Sequence, residues 1–470
     1  MKTRFTLQHS LLAPGLLFLA LSLSQCTKLV EVKKPANEIL IADAFEDSTS
    51  ATGAVTGIYG FMANHTGFEA GVVTLMTSKG ADDIQSRGAA DEFELNKLNS
   101  GLSTLSSMWS QPYSTLLTVN TALEGLNAST LLSSPLKNQL LGECYCSRAF
   151  INFHLVNLWG DAVALVLTAN YVADGAVASS PSAGTYAQIV SDLTQAQALM
   201  TNTYPSANRA RPNLQAANAL LARVYLYMGK YSDAVTQASA VIGSGLYTLP
   251  APASAFLQGS NETIWSLDMG LIPSLAGITP DGNTFVPLFS FFPPTYTLTS
   301  QLVAAFETGD QRKASWTNIS TYAGAQYVYP YKYKKNYYNG AAAENYVLLR
   351  LAEQYLIRAE AYCRLGDFAS SVADLNVVRA RAGLTALPTP ATTAACMAAI
   401  EQERRVELFA EWGHRWYDLK RWPANDGSST TRADQVLSAV KTAWQPFQKL
   451  YPIYYQELIY DPNLVQNPGY

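Results

Sequence analysis

The chain is short of the residues that metal and redox chemistry need. It holds five cysteines and four histidines in 470 residues. Cys144 and Cys146 stand two apart within a helical pattern, so they point away from each other and do not pair easily. With Cys363 and Cys396 they make no disulfide framework of the small-scaffold kind, and they read as core filler. His65, His154 and His414 are scattered, without the matched Cys/His spacing of a metal site. Neither a metal nor a cofactor is therefore expected. Charge is scarce as well: Asp, Glu, Lys and Arg make up 14% of the chain, and the net charge of −4 leaves no basic surface for nucleic acid. Beyond residue 23, every long apolar run is interrupted by Arg, Glu or Asn, so no later membrane span is expected.

Aromatic and uncharged polar residues take the place of charge, with 27 Tyr, 17 Phe and 8 Trp. Such a surface suits neutral polar ligands, sugars above all. The start of the chain has a different character. Lys2 and Arg4 precede an apolar run from Phe5 to Leu23, broken by Pro14 and Gly15 and followed by Ser24, Gln25 and Cys26. A basic start, a short apolar core and a small polar patch mark residues 1–25 as a secretory signal. A Cys at this place resembles the lipidated first residue of a bacterial lipoprotein, and Cys26 is the expected lipidation site. An ordinary cleaved signal with an incidental Cys is the alternative. Residues 26–470 are expected to form a single domain.

Helical periodicity covers 107–126, 135–158, 186–200, 213–228, 231–243, 345–365, 368–382 and 394–412. Two of these stretches share a pattern. Ala222, Tyr225, Gly229 and Tyr231 repeat as Ala359, Tyr362, Gly366 and Phe368. The small residue allows close helix approach, the Gly stops the first helix in a left-handed turn, and the aromatic packs back. This is the tetratricopeptide-type hairpin. The copies stand far apart in sequence, which argues against a continuous solenoid. The expected fold is mostly α, with about four such hairpins and long irregular loop insertions forming a second face. The largest insertion, about 250–343, is rich in Pro, Gly, Asn and aromatics, and a loop region that long is usually functional. Strand-like runs are few: Trp265–Met269 and Tyr327–Tyr333.

An ordered set of motifs then resembles the SusD/RagB family of Bacteroidetes outer-membrane lipoproteins. Leu158-Trp159-Gly160-Asp161 resembles a family turn, and Leu302-Val303-x-x-Phe306 with Asp310-x-Arg312 resembles a family block. Glu403-Arg404-x-x-Glu407-Leu408, then Gly413-x-Arg415-x-x-Asp418-Leu419-x-Arg421-Trp422, is similar to the family's C-terminal helix. Tyr451-Pro452-Ile453 and Asn467-Pro468-Gly469-Tyr470 are similar to its closing segment, so 394–470 reads as the C-terminal part of the domain. The resemblance implies a nutrient-binding protein rather than an enzyme. It implies a lipid-anchored position on the outer membrane, facing the cell surface, and delivery of oligosaccharide to a SusC-like TonB-dependent β-barrel transporter. A helical glycoside hydrolase of the envelope is the rival, and would need two carboxylates roughly 5–10 Å apart across a cleft. A binder of peptides or other nutrients is a further alternative.

The acids and bases of the C-terminal helix read as a packed ion-pair network rather than catalytic groups. Glu407, Glu411 and Arg415 step by four, as on one helix face. The resemblance places ligand contacts on loops opposite the helical repeats, and two loops qualify. Residues 78–87 bring Asp82, Asp83, Gln85 and Arg87 together as partners for sugar hydroxyls, with Asp83 as a turn cap the other reading. Residues 281–296 offer Asn283 and the rings of Phe285, Phe289, Phe291, Phe292 and Tyr296. Trp109 and Trp159 belong to helical motifs and read as core.

Overall fold

A computed structural model describes residues 43–470, except 65–66, 272–275 and 290. The signal segment, Cys26 and His65 lie outside the described residues. Among the described residues, no helix is long and apolar enough to cross a membrane.

The periodic segments fold as helices because the chain also supplies their ends. We number the helices of eight residues or more. They are α1 (Ser48–Asn64), α2 (Val72–Gly80), α3 (Ser103–Ala128), α4 (Ser134–Trp159), α5 (Ser182–Leu199) and α6 (Leu214–Tyr227). Then come α7 (Tyr231–Gly243), α8 (Leu351–Leu365), α9 (Phe368–Arg381), α10 (Thr393–Leu408), α11 (His414–Arg421) and α12 (Arg432–Val440). Asn213, Asp367 and Thr392 each accept a hydrogen bond from the amide three residues on and so cap α6, α9 and α10. The two repeat glycines do the same job in the same way. At Gly229 (φ 70°) and Gly366 (φ 85°) the chain turns left-handed. Lys230 N then donates to Tyr225 O at 2.9 Å, and Asp367 N to Tyr362 O at 3.0 Å, closing both helices alike.

Eight helices, α3 to α10, stack side by side in chain order, so that four consecutive pairs form the body, and α1 packs across α3 and α4. The stack is continuous in space, contrary to the expectation from sequence spacing. Residues 244–350 loop out, and α8 then returns to pack on α7 and α6. The joint is a small alanine-rich core of Ala222, Leu226, Ala234, Ala238, Ile357 and Ala361, all buried. Short side chains let the two hairpins approach closely, and that contact outweighs the length of the excursion. Trp109 and Trp159 are core, at 4% and 0% exposure.

Among the described residues, the remaining chain holds three two-stranded antiparallel sheets. β1 (Ile84–Ser86) pairs with β3 (Tyr296–Leu298), β2 (Thr263–Leu267) with β6 (Tyr346–Arg350), and β4 (Thr317–Tyr322) with β5 (Ala325–Pro330). Two segments depart from their periodicity. Residues 346–350, expected to open the helix of 345–365, are strand β6, because Thr263–Leu267 offers them a buried partner. The helix expected over 394–412 stops at Leu408, and Ala410, Trp412 and Gly413 take positive φ. The break drives Trp412 into the core, where its Nε1 donates to Val347 O at 2.9 Å. Glu407, Glu411 and Arg415 therefore do not share a helix face.

Their charges are paired all the same. Buried Arg350 meets Glu262 at 2.7 Å, Glu407 at 2.6 Å and Glu411 at 2.7 Å. Arg312 meets Asp310 at 2.8 Å, Glu403 at 2.5 Å and Glu407 at 2.9 Å. Arg404 binds Asp418 at 2.6 Å, and Arg421 binds Glu360 at 2.5 Å. Arg415 turns instead to Asp82 and Glu401, at 2.8 and 2.9 Å.

Candidate ligand-binding face

The pairing of β1 with β3 brings the two candidate loops together. Ile84 lies opposite Leu298 and Ser86 opposite Tyr296. The side chains of the first loop then diverge. At the inner end, Asp82 and Asp83 are buried. Asp82 accepts from Arg415 at 2.8 Å and pairs with Arg405 at 2.7 Å. Burial opposes its charge, yet Arg415 and then Arg405 hold its carboxyl down to about 2. Asp83 reaches only Arg405, at 3.4 Å, and burial pushes its carboxyl up to about 6. Both carboxylates thus meet arginines of α10 and α11 rather than solvent. At the outer end, Arg87 is exposed, and its amide and Nε donate to the carbonyls of Thr295 and Pro294 at 3.0 and 3.2 Å.

The second loop carries the exposed rings. Phe291 is 66% exposed, Phe292 45% and Phe289 39%. Phe289 and Phe291 lie parallel, with centroids 5.4 Å apart and planes 6° from each other. Tyr338 joins them at 5.2 Å from Phe289. These four rings form a shelf of contiguous aromatic surface, with exposed Tyr337 next to it in sequence. A shelf of this kind needs a rigid support, and buried Asn336 supplies it. Its Nδ2 donates to Pro287 O at 2.7 Å, while its Oδ1 accepts from the amides of Tyr338 and Asn339 at 2.8 and 2.9 Å. One side chain so ties together the loops that carry Phe289 and Tyr338. Ser320 Oγ of β4 donates to Phe292 O at 2.8 Å and fixes the far edge.

Asn283 is exposed on a short helical turn, Pro280–Phe285, that Thr279 caps by accepting from Gly282 N at 3.0 Å. It lines a cleft of about 270 Å³ with Gly71, Leu75, Ile278 and Tyr337. Tyr296 is half-buried, with Lys79 Nζ 5.3 Å from its ring centre and its edge toward Phe285. The geometry thus groups Phe289, Phe291 and Phe292 as a shelf and sets Asn283 and Arg87 on exposed segments of the two loops. Asp82 and Asp83 are buried, and Tyr296 is half-buried. Other rings of the insertion, Phe285, Trp316, Tyr329 and Tyr333, are buried. The sequence reading assigns no role to Tyr337 and Tyr338. The turn signal Asn336-x-x-Asn339-Gly340 was the clue that they sit on a loop tip. Among the described residues, no group of three His, Cys, Asp or Glu side chains is placed to hold a metal.

Two family models match the chain. One, for the SusD family, covers residues 278–470. The other, described as starch-binding associating with outer membrane, covers residues 61–226. Among curated proteins, SusD-like protein P2 of Formosa agariphila is 26% identical over 96% of this chain and 98% of its own length. SusD-like protein P25 of the same organism is 24% identical over 96% of this chain and 98% of its own length. Among solved structures, a SusD superfamily protein from Bacteroides vulgatus superposes with a TM-score of 0.76 at 22% identity, over 91% of this chain and all of that one. A SusD-like carbohydrate binding protein from Bacteroides vulgatus superposes with a TM-score of 0.68 at 19% identity, over 80% of this chain and 84% of that one.

Proposed function

The chain belongs to the SusD family, and from that premise we propose that it captures glycan at the cell surface and hands it to a SusC-like TonB-dependent transporter in the outer membrane. The observation that carries this reading is the exposed shelf of Phe289, Phe291, Phe292 and Tyr338 on loops pinned by Asn336. A sugar ring has an apolar face that lies flat on an aromatic ring, and hydroxyls at its edge that need hydrogen bonds. The shelf supplies the first, and Arg87 and Asn283 supply the second. Such groups must be pre-placed by a rigid scaffold, and the helical stack is that scaffold. The matched family description and the carbohydrate-binding structural neighbour support the same reading.

The role is binding without chemistry. Asp82 and Asp83 are buried, engaged by Arg405 and Arg415, and poorly placed as a general acid and base. Lipidation at Cys26 tethers the body to the membrane in this scheme, and Cys26→Ala releases it to the soluble fraction. Affinity gels loaded with a panel of polysaccharides test the site. We expect retardation by at least one glycan, lost in Phe289→Ala and Phe291→Ala with the thermal melt unchanged. Retardation that survives both changes places the site elsewhere. Release of reducing sugar, abolished by a single carboxylate change, would show a hydrolase instead.

A further inference from the structure

A separate cavity of about 320 Å³ opens where α3, the connection after α4 and the C-terminal closing segment meet. None of its lining residues belongs to the loops of the aromatic shelf. Trp109 and Tyr113 of α3 line it, and Tyr171 and Tyr460, at 74% and 73% exposure, stand at its mouth. Its walls are tied to one another. Asn463 Nδ2 donates to Ala176 O at 3.0 Å, and Val465 N to Ser179 Oγ at 2.8 Å. The cavity is therefore a built feature of the fold and not a gap between loose loops.

Its electrostatics differ from those of the C-terminal ion network. Elsewhere buried carboxylates such as Glu360, Glu403 and Glu407 meet arginines. Here Asp174, Glu457 and Asp461 line one cavity, and among the described residues no Lys, Arg or His lines it. Asp461 is only 8% exposed, and the hydrogen bond it accepts is from the amide of Asn463 at 3.0 Å. Asp174 Oδ1 accepts from Thr168 Oγ1 at 2.7 Å, while its Oδ2 is buried without a partner among the described residues. Burial pushes the Glu457 carboxyl above its ordinary range. Asp461 is buried, and Asp174 and Glu457 are partly so. Carboxylates withdrawn from water without a cation are costly, and an incoming cation offsets that cost. The surrounding rings favour the same charge, since a cation is attracted to an aromatic face. The space exceeds what an ammonium group fills, and Ser110 and Ser114 add neutral hydroxyls.

We propose that this cavity binds an amino sugar, a hydroxylated ring bearing a protonated amine, at a site independent of the aromatic shelf. The full chain titrated calorimetrically with D-glucosamine near pH 6.5 tests it, with N-acetyl-D-glucosamine and methylamine as comparators. Glucosamine is expected to bind, and loss of its charge on acetylation to weaken binding about tenfold or more, the scale of a hydrogen bond to a charged group. Glu457→Gln should cost glucosamine a similar factor, and Tyr460→Ala, at an exposed position, should weaken it without touching a carboxylate. Phe291→Ala, which removes glycan retardation at the shelf, should leave glucosamine affinity at the cavity unchanged. The proposal is overturned if glucosamine gives no heat, if the acetylated sugar or methylamine binds as tightly, or if either cavity variant keeps full affinity. Loss of glucosamine binding in Phe291→Ala overturns it too, by moving the amine to the shelf.

Discussion

Asp82 and Asp83 are neighbours with opposite electrostatic fates. Asp82 has two arginines, and Asp83 has one at a longer distance. Asp82→Ala leaves Arg415 with Glu401 alone and Arg405 with Asp83 alone, so a loss of about 2–3 kcal/mol is expected in thermal or urea melts. A loss within the scatter of surface substitutions, about 0.5 kcal/mol, would show that water replaces the carboxylate. Asp83 behaves in the reverse sense. Its folded pKa of about 6 lies above the ordinary 3.8, so the folded chain holds this proton more tightly than the unfolded one. That contribution is complete below pH 3.8 and is lost as pH rises through 6. Asp83→Asn should therefore raise the melting temperature at pH 7.5 and lose the advantage below pH 4, read by melts across that range. None of this was legible locally. The arginines that decide both fates lie 322 and 333 residues further along the chain. Composition marked the two loops as candidate ligand segments, but whether a side chain points outward is set by tertiary partners that no short motif carries.

At the scale of elements, length governed which helices were legible. The periodic segments from 107 to 243 and from 368 to 382 lie on helices of 13 to 26 residues whose ends differ by a few residues. Among them α4 was legible although Leu140–Trp159 is buried except at Tyr145 and Asn157. α2 has only nine residues. From Val73 to Gly80 all but one of its residues are buried, so no polar stripe supplies a period. β6 was hidden for a related reason. Tyr-Val-Leu-Leu runs straight into α8, and a continuous apolar run does not tell strand from helix. The repeated Ala-Tyr-Gly-aromatic pattern was legible because it states a contact: the small residue marks where two helices touch. The joint between the hairpins is open to test at Ala361, two residues beyond the pattern's Ala359 and fully buried against the α6–α7 hairpin. Ala361→Leu adds volume where the neighbours are alanines, and about 1–3 kcal/mol of destabilisation is expected in urea denaturation. A change below 0.5 kcal/mol would mean that the hairpins are not in close contact there.

Over the whole molecule, Glu407 of α10 is the meeting point. It is contacted by Arg312 of the insertion, Arg350 of β6 and Arg381 of α9, and Arg350 reaches on to Glu262 beside β2. The ion network and the alanine joint together make one half incomplete without the other. Residues 44–250 made alone would expose the apolar face of α7 and should lack a sharp calorimetric transition, whereas the full chain should unfold in one. A 44–250 fragment that melts sharply at the temperature of the whole chain would show that the halves are separate folding units.

The return of α8 to α7 also sets a schedule for folding. α7 ends at Gly243 and α8 begins at Leu351, so the alanine face of α7 has no mate until the excursion between them has been gathered in. Helical bundles with local contacts fold in microseconds to milliseconds, because each new helix meets one just formed. Here a central contact waits on closure of a long loop, and refolding from urea should be slower, on the order of milliseconds to seconds. Until that closure the nascent body is two sticky half-stacks, and the interval is when a chaperone has most to hold.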